Sequence, residues 1–363
     1  MSSLLSPLRL GPWALRNRVV MAPLTRSRAE ADASANELML RYYEQRASAG
    51  LIVSEGIVVS PQGASYRNVP GLFSDAHIAP WSAITEAVHR RGGLIVAQLW
   101  HVGRQSHSSV QPDGAPPGGP SAVPITGYSY YARPDKLRFE TPRALSTQEI
   151  RAIVGDFAAA ARRAIMAGFD GVEIHGANGY LIDQFLHRSA NRRTDAYGGG
   201  PAGRSRFLHE VLEAVSVEVP TARIGVRLSP SSTWMDVDDA DKPGLFSHVV
   251  SSLSGKGLGY LHLVEPNIAG ATDASDAAPV RVDTSTLRPL FDGALISTGG
   301  HGTPSAETLL AAGTADLIGF GRPFIANPDL VERISGALPW ATPQPRTFYS
   351  GGAEGYTSYP AYA

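Results

Sequence analysis

Gly171-Val172-Glu173-Ile174 runs without a break into His175-Gly176-Ala177-Asn178-Gly179-Tyr180. The first four residues, short and mostly apolar, read as a strand buried on both faces. The next six place an imidazole, a carboxamide and a phenol at spacings of three and two. Three polar groups launched from one strand tip can converge on a single ligand oxygen and on the carbon beside it.

The same rhythm extends in both directions. Short apolar runs at 19–22, 51–57, 94–99, 171–175, 224–228, 260–264, 294–298 and 317–320 read as strands. Helical patterns follow at 36–49, 75–91, 147–166, 203–219, 245–256, 284–291, 305–312 and 327–335. Ser146 or Thr147 can cap the third helix, with Glu149 in its first turn. Strict alternation predicts an α/β fold, a parallel sheet closed as a (β/α)8 TIM barrel, in one domain over 1–363. A doubly wound open sheet is the competing reading. It lacks the Gly-rich dinucleotide turn after the first strand, where Met21-Ala22-Pro23-Leu24-Thr25 stands instead. The segment 101–145, with a Gly- and Pro-rich centre at 112–120, is expected to be an inserted lid or binding loop after strand three.

A chain of 363 residues can bury a large core, and a net charge of −1 gives no reason to expect a nucleic-acid or membrane-surface partner. No apolar run is long enough to span a bilayer. Residues 1–18 contain no continuous apolar stretch, so no signal peptide is expected. Cysteine is absent, which excludes disulfides, thiolate metal sites, iron–sulfur clusters and a cysteine nucleophile, and fits a cytoplasmic protein.

Barrel chemistry sits where strands end and loops begin. The tips offer Thr25, Glu55-Gly56, Gln98, Trp100-His101, His175, Asn178, Tyr180, Arg227, Thr298-Gly299-Gly300 and Gly321-Arg322. Donors and acceptors dominate, and carboxylates are few: Glu55, and Glu173 inside a strand. His101 and His175 have no companions for a metal, so no metal site is expected. Such a ring of amides, hydroxyls and glycines suits a flat heterocycle like a flavin. Gly299-Gly300 and Gly321-Arg322 follow the last two strands, where barrels of this kind hold phosphate. One phosphate fits FMN better than FAD.

Several segments, in order along nearly the whole chain, resemble the old yellow enzyme family of FMN-dependent ene-reductases. They are Met21-Ala22-Pro23-Leu24-Thr25-Arg26 (after Asn17-Arg18), Gln98-Leu99-Trp100-His101-Val102-Gly103-Arg104, His175-Gly176-Ala177-Asn178-Gly179-Tyr180-Leu181, Asn191-Arg192-Arg193-Thr194-Asp195 with Tyr197-Gly198-Gly199, Gly319-Phe320-Gly321-Arg322-Pro323-Phe324, and Gly355-Tyr356-Thr357 with Tyr359-Pro360. The resemblance implies that Thr25 hydrogen-bonds the flavin carbonyl near N5, and that Pro23, Leu24, Gly56 and Gln98 contact the ring. Arg227 would sit near N1 and O2. Gly299, Gly300, Gly321 and Arg322 would hold the phosphate. His175 and Asn178 would bind a substrate carbonyl, Tyr180 would donate the proton, and Trp100, Trp234 and Tyr349 would line the substrate pocket. Some relatives carry cysteine at the position of Thr25. The loop 111–143 and the stretch 235–243 match no pattern of the family, which leaves the substrate range open.

The implied reaction uses NADPH or NADH to reduce FMN, then passes hydride to the β-carbon of an enone-type alkene (a nitroalkene or nitrate ester being the other candidate substrates) while Tyr180 protonates the neighbouring carbon. No Rossmann motif is present, so the nicotinamide is expected to stack on the flavin. A monomer or homodimer is expected. Read without the resemblance, the residues leave alternatives open. His175 and Gln98 can be structural, Trp100 can cap the core, and the tyrosines after Thr342 can pack the barrel top. An aldolase-like barrel would need a Schiff-base lysine at a strand tip, and Lys136, Lys242 and Lys256 all lie in loops or helices. A non-catalytic flavin carrier leaves the group His175, Asn178 and Tyr180 without a purpose.

Overall fold

A computed structural model describes residues 3–129, 137–266, 268–269, 272–273 and 280–362. Eight strands form one closed barrel: β1 (Val19–Met21), β2 (Leu51–Val58), β3 (Ile95–Trp100), β4 (Gly171–Gly176), β5 (Ile224–Leu228), β6 (Tyr260–Val264), β7 (Leu295–Thr298) and β8 (Leu317–Phe320). All neighbours are parallel, and β8 closes onto β1. Every barrel-strand residue is buried, as strands covered by helices outside and side chains inside must be. The eight strands lie where the sequence places them, with ends differing by one residue.

Ten helices surround the barrel or cap its loops among the described residues: α1 (Glu37–Glu44), α2 (Ile78–Arg90), α3 (Thr147–Met166), α4 (Leu181–Leu186), α5 (Pro201–Glu218), α6 (Lys242–Leu253), α7 (Thr284–Leu287), α8 (Thr303–Ala311), α9 (Arg322–Ala326) and α10 (Leu330–Ser335). α3 shows why these residues coil. Ser146 accepts from the Glu149 backbone while Glu149 reaches back to Ser146, so two orphan donors are satisfied at once. Ile150, Ile153, Phe157, Ala160, Ala161 and Ala164 then form one buried stripe. Truncating Phe157 to alanine would cost roughly 3–5 kcal/mol.

Three departures from the sequence reading have physical causes. The helix expected at 36–49 stops at Glu44 and relaxes into turns. The helix expected at 327–335 starts only at Leu330, and an unexpected short helix, α9, precedes it, beginning directly at Arg322 with Pro323 in its first turn, where a missing N–H costs nothing. An N-terminal hairpin, Leu8–Leu10 with Trp13–Leu15, was not expected, because three-residue strands are too short for a period to show. Its Leu10, Trp13 and Leu15 join Val20, Val53, Val96, Tyr260 and Leu317 in one cluster, which fills the barrel from below.

The segment 101–145 carries local pairings, Gly118–Gly119 with Arg143–Ala144 and Tyr128–Ser129 with Leu137–Arg138, while 130–136 lie outside the described residues. Buried Arg104 ties the segment down by donating to the carbonyls of Val123, Met235 and Asp236. No helix among the described residues is long and apolar enough to cross a membrane.

Candidate active site at the barrel mouth

A cavity of about 1110 Å³ opens at the C-terminal ends of the strands, large enough for a cofactor and a small substrate together. One wall comes from Pro23, Leu24 and Thr25 after β1, and the floor from Gln98 and Arg227. Gly299 and Gly300 after β7 meet Gly321 and Arg322 after β8 at another side. His175, Asn178, Tyr180, Trp100, Trp234 and Tyr349 complete the wall. The fold thus brings all but one of the expected site residues to a single cavity. The exception is Gly56, which lies behind Trp100. A Cβ there would stand 2.6 Å from the indole Cε3, so the glycine makes room for that ring. A register shift between Val53 and Gly56 against β3 turns this end of β2.

The turn after β4 is built to aim its side chains. Asn178 has φ 57° and Gly179 φ 71°, both left-handed. Asn178 N–H donates to Ser229 Oγ at 2.8 Å, and Gly179 N–H donates to Asp183 Oδ2 at 2.8 Å. Gln184 Nε2 and Gln105 Nε2 donate to the carbonyls of Gly179 and Asn178. A Cβ on Gly179 would approach the Trp234 carbonyl to 2.6 Å. These bonds tether the N–H and the carbonyl of both left-handed residues.

Tyr180 is held on two sides. Its ring meets Trp100 edge-on at 4.9 Å and His175 edge-on at 5.1 Å, and its hydroxyl lies 3.0 Å from that of Tyr66. The imidazole of His175 is buried, and its pKa is driven well below the ordinary histidine value by burial first, then by Arg227 and His262. It is therefore neutral near pH 7 and able to donate one N–H. Arg227 is also buried, and its Nε has no partner within the protein. Burial is the main influence on its pKa, a lowering one that the Glu173 carboxylate opposes.

Below this layer runs a buried polar chain that the sequence reading overlooked. Gln98 Nε2 donates to Glu173 Oε1 at 2.8 Å, Glu173 Oε2 meets His262 Nδ1 at 2.8 Å, and His262 Nε2 meets Thr298 Oγ1 at 2.7 Å. The sequence marks Glu173 only as an acid inside a strand. Its two-residue offset from His175 already places both on the barrel's inner face. Tyr66 and His301 also line the cavity, and the sequence offers no signal for either, since both sit in loops.

An unpartnered buried guanidinium nitrogen, an amide at the cavity floor and a glycine–arginine cluster at one side fit a flat ring with an anionic tail. FMN is such a group. The model of the FMN oxidoreductases, described as the NADH:flavin oxidoreductase / NADH oxidase family, matches residues 3–340. The chain is 41% identical over 362 residues to 12-oxophytodienoate reductase 1 of Oryza sativa subsp. japonica, covering 98% of this chain and 92% of that one. Among solved structures, morphinone reductase in complex with tetrahydroNAD is 43% identical with a TM-score of 0.92, covering 100% of this chain and 98% of that one. The old yellow enzyme homologue from Zymomonas mobilis is 40% identical with a TM-score of 0.94, covering 99% and 100%. The cavity, the barrel and these likenesses agree: the chain belongs to the NADH:flavin oxidoreductase / NADH oxidase family of FMN-dependent enzymes, the old yellow enzyme family.

Proposed function

We propose that this chain is an ene-reductase, which reduces the activated C=C bond of α,β-unsaturated carbonyl compounds at the expense of NADPH or NADH. FMN, when bound, supplies the hydride, taken from the nicotinamide and passed to the β-carbon. Gln98 and Arg227 hold the ring, Pro23, Leu24 and Thr25 flank it, and Gly299, Gly300, Gly321 and Arg322 hold the phosphate. His175 and Asn178 bind the substrate oxygen as negative charge grows on it, each donor being worth about 3 kcal/mol in the barrier. Tyr180 gives its phenolic proton to the α-carbon. Trp100, Trp234 and Tyr349 shape the space for the rest of the substrate.

The observation that carries this reading is that His175, Asn178 and Tyr180 share one cavity with Gln98 and Arg227. A flavin carrier would need the second pair but not the first three. The test uses purified protein under anaerobic conditions. NADPH or NADH should bleach its flavin absorbance, and 2-cyclohexenone should restore it. A preparation that bleaches and then stays bleached with the enone refutes the assignment.

A further inference from the structure

The interior of the barrel holds a full negative charge where packing alone would favour an aliphatic side chain. Glu173 is completely buried, and so is His262. Burying a carboxylate is expensive unless it is paired and hydrogen-bonded. Here His262 and Gln98 supply those bonds at 2.8 Å each, and the net effect of its partners keeps the Glu173 pKa below the usual carboxylate value, although burial alone pushes it up. Glu173 is thus ionised at neutral pH. His262 is held neutral by burial, so its Nδ1–H donates to Glu173 and its Nε2 accepts from Thr298.

This arrangement reaches the cavity at three points. Gln98 gives one amide hydrogen to Glu173, which fixes which end of the amide is nitrogen and leaves its Oε1 free to accept. Thr298 is committed as a donor to His262, so only its lone pairs remain for a ligand. Arg227 stands beside His175 and His262 in the strand register, one layer above Glu173, and feels that carboxylate across the barrel interior. The same charge, after burial, helps push the Tyr260 phenol well above its ordinary range.

We infer that Glu173 is a positioning residue that locks the Gln98 amide and sets the charge beneath the flavin ring by partly offsetting Arg227. The inference rests on the FMN reading above. Reduction places negative charge on the ring, and Arg227 alone would favour the reduced cofactor strongly. Glu173 moderates that preference, which keeps the cofactor reducing enough to hand its hydride on.

The test is apo-protein reconstitution, with FMN affinity measured in the oxidised and reduced states and the midpoint potential measured by dye equilibration. E173Q removes the charge and retains much of the shape. The ratio of oxidised to reduced dissociation constants should rise at least tenfold, equivalent to about 30 mV upward for a two-electron couple. E173D keeps the charge but shortens the reach to Gln98. Its FMN affinity should fall severalfold with the ratio unchanged within about twofold. An unchanged ratio in folded E173Q, or a tenfold rise in E173D, overturns the inference. Should E173Q fail to fold, the E173D ratio alone decides. Wild-type apo-protein that does not take up FMN would instead overturn the FMN reading itself.

Discussion

Removing the hydroxyl of Tyr180 separates the two halves of the catalytic cycle. In Tyr180→Phe the ring keeps its edge contacts with Trp100 at 4.9 Å and His175 at 5.1 Å, so the cavity should hold its shape. What is lost is one hydrogen bond to Tyr66, 3.0 Å long. That costs stability on the order of 1 kcal/mol. A positioned general acid contributes about 10²–10⁴-fold to a rate. Stopped-flow spectrophotometry under anaerobic conditions reads each half separately, as flavin bleaching by the nicotinamide and as recovery on adding the enone. Bleaching should keep its rate within about twofold, while recovery should slow by roughly two to four orders of magnitude. Tyr66→Phe removes the same hydrogen bond but leaves the donor, so its recovery should slow by less than about tenfold. Equal slowing of both half-reactions in Tyr180→Phe, or equal damage from the two variants, would refute the reasoning.

Other outcomes follow from the same geometry. Arg322→Ala should weaken FMN binding to the apo-protein by roughly tenfold to a hundredfold, the loss of a charge-assisted contact, and an unchanged dissociation constant would remove Arg322 from the phosphate site. Gly179→Ala forces a side chain into a left-handed turn and against the Trp234 carbonyl. It should cost about 1–2 kcal/mol and weaken substrate binding while sparing FMN content, as equilibrium denaturation and flavin quantitation can check. Burial lifts the pKa of the Glu55 carboxyl from an ordinary 4.5 to about 7 in the folded chain. A raised pKa contributes stability below 4.5 that disappears as pH rises through 7, on the order of 3 kcal/mol in all. Glu55→Gln should therefore flatten the stability profile between pH 5 and 8; a slope identical to wild type would contradict this. His175 behaves oppositely, since its folded pKa is depressed. The unfolded chain takes the proton first as pH drops below 6.5, so acid destabilises the fold, whereas ligand affinity should show no His175 step between pH 6 and 8.

The barrel was legible because its strands are short, apolar and regularly spaced, and because α3 announces itself with Ser146 and Glu149. The mouth was legible because the motif residues sit at strand tips, where a barrel gathers them whatever their distance in sequence. Three features escaped. The hairpin at Leu8–Leu15 is too short for periodicity and shows only through what it covers. Tyr66 reaches the cavity from the loop after β2, and no spacing rule locates a loop residue in space. The Glu173–His262 pair joins strands 89 residues apart. Each residue looks ordinary alone, and only closure of the barrel makes them neighbours. Gly56 carries a related lesson: at a strand end a glycine can serve a neighbouring indole instead of a ligand.

The most direct measurement is a crystal structure of the yellow holoprotein soaked with a phenolic ligand. The account predicts the FMN ring over Gln98 and Arg227, its phosphate within about 3 Å of Arg322, and the phenol oxygen within about 3 Å of both His175 and Asn178. A ring lodged elsewhere, or a phenol bound away from those two side chains, would contradict it.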